Sequence, residues 1–97
     1  MAKLQISLVK DSGMIRVYAA YNQSQPVFLE RVNLLECDSA GSTISAFTTV
    51  VRDYFGPGQG SNLLFSHAPS GANVKQVKAT GFYINIDQVA ASNTVAL

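Results

Sequence analysis

Leu4, Ile6 and Leu8 alternate with Gln5 and Ser7 at the start of the chain, the period of a strand with one face buried. A second alternating run, Ile15, Val17, Ala19 and Tyr21 against Arg16, Tyr18 and Ala20, follows the turn-forming stretch Lys10-Asp11-Ser12-Gly13. Two such runs about a turn whose glycine accepts positive φ predict a β-hairpin. After a break at Asn22-Gln23-Ser24-Gln25-Pro26, residues 27–36 fit two periods. Phe28, Val32 and Leu35 have helical spacing, whereas Phe28, Val32 and Leu34 share a strand face on which Glu30 and Glu36 are dissenting members. Because two strands precede the segment, a third strand in a meander is the preferred reading.

Cys37 to Gly41 reads as a loop. Beyond it Ile44, Phe47, Val51, Tyr54 and Phe55 recur at intervals of three, four, three and one. That stripe predicts an amphipathic helix over residues 42–55, capped by Ser39 or Ser42 and stopped by Gly56-Pro57. The β-branched content of the same segment (Thr43, Ile44, Thr48, Thr49, Val50, Val51) opposes the helix. A Gly-rich loop at 56–62, a short strand at Leu63–His67, a turn at 68–73 and strands over 74–79 and 82–89 complete the reading, with Thr80-Gly81 as a bulge or bend. The expected architecture is α+β: five to six mostly antiparallel strands with one helix packed on them. An all-β sandwich or barrel is the alternative if residues 42–55 are extended.

Composition then narrows the function. The 97 residues supply one domain with one core, and a chain this short buries only about 60–65% of its unfolded surface. Cys37 is the sole cysteine, so no disulfide forms within the chain, and Cys37 with His67 makes a poor set of metal ligands. Neither a metal nor another cofactor is expected. Charged residues make up 13% of the chain, against about 25% in an ordinary soluble domain. No formal charge lies between Asp53 and Lys75, and Asp87 is the only one after Lys78. Charge depletion of this kind marks the cores of subunit interfaces, so self-association is expected. The net charge of +1 lacks the concentrated basic footprint of a nucleic-acid binder. No signal peptide or apolar run of membrane-spanning length is evident, which predicts an intracellular or cytoplasmic protein, or one incorporated in a viral particle. Asn22-Gln23-Ser24 matches a glycosylation acceptor but carries no weight without a secretion signal.

Candidate chemistry is sparse. A thiolate nucleophile needs a base in hydrogen-bond reach, and Cys37–His67 with Asp38 or Asp87 is the pairing the sequence offers, with no surrounding motif. His67 reads more simply as a strand-end residue making one hydrogen bond. No Gly-x-Ser-x-Gly elbow presents a serine, and Gly56-Pro57-Gly58-Gln59-Gly60 lacks the Lys-Ser/Thr ending and the following helix of a phosphate loop. Lys75, Lys78 and Tyr83, joined by Arg16, Tyr18 and Phe82, form the strongest basic-aromatic set for single-stranded nucleic acid, and edge-guarding lysines are the simpler reading. The uncharged tail, residues 90–97, suits an extended segment that adds a strand to a partner and equally a frayed terminus. The sequence therefore points to a non-enzymatic, self-assembling structural or interaction protein, such as a minor coat, cement or scaffold component. Its contacts are assigned to Gly58, Gln59, Gly60, Val89, Val95 and Leu97. The rival readings are an inhibitor-like module that docks on a larger protein and, further off, an enzyme whose site forms between subunits around His67.

Overall fold

A computed structural model describes residues 4–21, 25–56, 60–84 and 89–97. They form eight strands: β1 (Leu4–Asp11), β2 (Met14–Tyr21), β3 (Val27–Cys37), β4 (Thr43–Phe55), β5 (Gly60–His67), β6 (Gln76–Tyr83), β7 (Val89–Ala91) and β8 (Val95–Ala96). All named pairings are antiparallel. One sheet has the order β1-β2-β5; the other has the order β4-β3-β6-β7, with β8 also paired to β6.

The expected α+β fold is therefore wrong, and the all-β alternative fits. The helix expected over residues 42–55 is the long strand β4, and none of the described residues is helical. Two register irregularities produced the helix-like spacing. Ile44 is skipped where β3 moves from Glu36 to Cys37 and β4 from Ser45 to Thr43. Near the other end β3 advances from Leu29 to Arg31 while β4 moves from Asp53 to Val50, with Arg52 at a positive φ of 49°. Each extra residue shifts the two-residue period and leaves intervals of three. The β-branched content was the better guide.

β3 carries a matching irregularity. Its buried positions run Val27, Leu29, then Val32, Leu34 and Glu36, with Glu30 as the extra residue opposite the step from Tyr83 to Phe82. Glu30 Oε1 accepts a hydrogen bond from Arg52 Nε at 3.1 Å, so a single ion pair ties the two irregularities together. The hairpin is as expected. Ser12 and Gly13 both have positive φ (51° and 80°), the geometry of a two-residue turn whose twist suits its strands. β6 runs unbroken through Thr80-Gly81. A Cβ on Gly81 would lie 3.1 Å from Leu29 Cδ1 and 3.4 Å from Ile6, so this glycine lets side chains of both sheets approach its backbone.

The core lies between the sheets. Leu4, Ile6, Leu8, Ile15, Val17 and Ala19 from one sheet meet Leu29, Val32, Leu34, Val77 and Ala79 from the other. On one side the sheets are joined along β1. Leu4 N–H donates to the Tyr83 hydroxyl at 3.1 Å, and Ile6 forms an isolated parallel bridge with Ser92. Asn93 Oδ1 accepts from Leu8 N–H at 2.8 Å, while its Nδ2 donates to Leu8 O at 3.1 Å. The Asn93 amide thus substitutes for a strand peptide. Ser92 in turn is held by Ala79 through bonds at its N–H (2.9 Å) and its Oγ (2.7 Å). Burial, which penalises the charged form, pushes the Tyr83 phenol above its ordinary pKa, helped by nearby Tyr21 and opposed by the bond from Leu4; its hydroxyl remains a neutral partner for the β1 edge.

Replacing Asn93 with Ala leaves two backbone groups of β1 without their partner. Asn93→Ala is expected to lower unfolding stability by about 1–3 kcal/mol, read as a shift in urea midpoint at unchanged slope.

Candidate functional site

Two features stand out against the compact core: a buried carboxylate at one end of the sandwich, and an uncovered strand at its edge. Glu36, in phase with Val32 and Leu34 on β3, is 0% exposed. Its Oε2 lies 2.7 Å from His67 Nε2 and accepts from Ser70 N–H at 2.9 Å, and its Oε1 accepts from the Ser70 hydroxyl. Burial raises the Glu36 pKa, but the hydrogen bonds from Ser70 and His67 outweigh it and hold the carboxyl below its ordinary value. An ionised carboxylate only accepts, so His67 Nε2 is the donor in this pair. His67 ends β5, in the three-stranded sheet, and Ser70 follows in the crossover to β6. The cluster therefore clamps that crossover onto β3. The His67 ring also lies against Phe47 of β4, with centroids 4.8 Å apart.

This arrangement is not a nucleophile–base pair. The Ser70 hydroxyl and His67 both point at the same carboxylate, so the histidine does not take the serine proton. The Cys37–His67 pairing is not assembled either: Cys37 is buried, with its Sγ 4.0 Å from Leu35 O, and His67 Nε2 is engaged by Glu36. Asp38 is occupied in its turn, where Oδ1 accepts from Ala40 N–H and Ser42 N–H at 3.0 and 2.9 Å; Asp87 lies outside the described residues. A shallow open depression lined by Asp38, Ser39, Ile44, Asn73 and Lys75 adjoins this turn. Among the described residues no group of three or more His, Cys, Asp or Glu could hold a metal ion, and no helix is long and apolar enough to cross a membrane. The basic-aromatic set is dispersed. Tyr83 is buried, Arg16 and Tyr18 alternate with buried residues on β2, and Lys78 and Phe82 lie on β6 in the other sheet. Arg31 stacks over Phe82, 4.2 Å from its centroid.

The residues assigned to contacts in the sequence fall in three places. Gly58 and Gln59 lie outside the described residues. Gly60 opens β5 at a φ of 68°. Val89 pairs with Phe82 through β7, and Val95 with Val77 through β8; Val95 and Leu97 pack against the core. The Leu97 N–H also donates to Lys75 O at 2.9 Å. The tail thus supplies strands to its own sheet.

The uncovered surface lies elsewhere. β4 pairs only with β3 and β5 only with β2, so among the described residues no strand covers the outer edge of either. In thirteen residues of β4 only Phe55 is buried. Ile44 is 47% exposed, Phe47 37%, Val50 64% and Tyr54 66%. Thr43–Val51 contains no formal charge. Tyr54 is steadied by an edge contact with Phe28, ring centroids 4.7 Å apart. Between the two edges, Val51 of β4 and Leu64 and Phe65 of β5 are only partly buried. The sequence reading missed this surface because it placed the same residues on a helix; an uncharged, β-branched run of this length was the available signal. Comparisons with protein-family models, with curated proteins and with solved structures returned no match. The class is defined by geometry alone: an antiparallel two-sheet domain closed along β1, with no strand among the described residues on the outer edges of β4 and β5.

Glu36→Gln removes the charge that strengthens these bonds and is expected to cost about 1–3 kcal/mol near neutral pH. The Glu36 pKa is depressed on folding, so its contribution is complete above the unfolded value of about 4.3 and is lost as pH falls through the lower folded value. Urea titrations across that acid range should show the wild-type and Glu36→Gln curves converging; a constant gap would remove the carboxylate charge from the account.

Proposed function

We infer that the protein is a non-enzymatic building block that works by associating with further copies of itself, in the manner of a coat, cement or scaffold component. The observation that carries this reading is the edge of β4. A long apolar edge is a template for pairing with another chain, and monomeric proteins blunt such edges with lysines, prolines or covering segments; on β4 only the irregularities at Ile44 and Arg52 interrupt it. Across Thr43–Val51 there is no charge and no proline. The low overall charge and small core agree with an assembly that gains burial from its neighbours. The polar cluster fits the same role, since Glu36, His67 and Ser70 fasten the crossover to β3.

Size-exclusion chromatography with light scattering tests this over a hundredfold range of concentration. A mass of two or more chains, rising with concentration, is expected for the wild type. Ala46→Lys, which puts a charge on the exposed edge, is expected to shift it toward one chain. A wild-type monomer throughout would overturn self-association and direct attention to a different protein as the occupant of this edge.

A further inference from the structure

Self-association leaves open which edge pairs, in which direction and in which register. β5 offers little: it has eight residues and Leu63 as its only prominently exposed large apolar side chain. β4 offers three in its uncharged run, Ile44, Phe47 and Val50, and their spacing is symmetric about Phe47. Two antiparallel copies related by a two-fold axis place residue 47+n of one opposite 47−n of the other. Phe47 then meets Phe47, and Ile44 meets Val50 twice. Ile44 has no opposite residue on β3. The two charges near the run, Arg52 and Asp53, fall opposite Ser42 and Gly41, so no like charges are opposed.

Resting on the self-association reading above, we propose that the occupant of the β4 edge is the β4 edge of a second copy, paired antiparallel about a two-fold axis at Phe47 to make one continuous sheet across the dimer. An isologous contact of this kind must be self-complementary, and cross-strand apolar pairs are the unit that stabilises it. The Phe47 pair also borders His67, so the joint is braced from beneath by the Glu36 clamp.

The test is a charge exchange at two exposed positions that the monomer core does not use. Ile44→Glu and Val50→Lys, each alone, are expected to weaken dimer formation roughly tenfold or more, measured by light scattering and sedimentation equilibrium. Together they face each other twice across the axis, and the double variant is expected to recover most of the loss at low salt and to lose it again at high salt. Unchanged association in both single variants would overturn the β4 joint while leaving self-association standing. Weakening without recovery in the double variant would overturn the Phe47 register. A wild-type chain monomeric at all concentrations would overturn both readings. Circular dichroism spectra superimposable on the wild type confirm that each variant is folded.

Discussion

The whole fold turns on how the backbone groups at the edge of β1 are satisfied. A strand edge in a sandwich needs a further strand, water, or side chains that imitate a strand. Here the Tyr83 hydroxyl and the Asn93 amide do the imitating at Leu4 and Leu8, and between them the Ser92 backbone forms a bridge with Ile6. These three positions are two residues apart, so they are also the ones whose side chains enter the core. The same contacts therefore fix the register of β1, hold the C-terminal strands β7 and β8 against β6, and set the distance between the sheets. Gly81 completes the arrangement, because Ile6 and Leu29 reach its backbone only where no side chain stands.

On the opposite side the closure is different in kind. There the buried carboxylate of Glu36, bonded to His67 and Ser70, links the three-stranded sheet and the crossover to β3, beside the Phe47–His67 ring contact and a bond from Lys75 N–H to Cys37 O. It acts at one end and leaves the length of β4 and β5 apart. A buried charge with three donors is costly to remove singly and contributes less than its Coulomb attraction suggests, so its role is to position the crossover more than to add stability. The sandwich is thus fastened along one edge and pinned at one end of the other.

Much of this was legible in the sequence, and the failures have identifiable physical causes. The β1–β2 hairpin and its Ser12-Gly13 turn follow from clean alternation. β6 was split at Gly81 because glycine usually interrupts a strand, whereas here it admits neighbouring side chains. β3 and β4 were blurred by the irregularities at Glu30, Ile44 and Arg52, each of which converts a two-residue period into an interval of three. Of the polar cluster, His67 was read as a strand-end residue with one hydrogen bond, but its partner was not found. Glu36 stood in phase with the apolar positions Val32 and Leu34, and an acid on a core face is the signal for a buried, satisfied carboxylate. Nothing in the spacing of Ser70 marked it as the third member. The tail's uncharged composition suits strand pairing, and its strands β7 and β8 pair with β6 of the same chain.

The irregularity at Arg52 also bears on what sort of assembly the β4 edge supports. An apolar edge without limits pairs in any register and grows without end. On β4 the run is bounded. At one side the turn Asp38–Ser42 folds back through the Asp38 carboxylate; at the other, Arg52 takes a left-handed conformation and is drawn to Glu30. The backbone changes direction there and a charge occupies the edge, two of the devices that stop strand addition. Between these limits the exposed apolar side chains are few and spaced evenly about Phe47, so a slip by one residue separates Ile44 from Val50 and sets Phe47 against Ala46 or Thr48. A two-fold pairing consumes the edge completely, and any larger assembly then has to use a different surface, such as the shorter edge of β5. In the proposed dimer, bounded length and symmetric spacing favour a closed joint over a fibre.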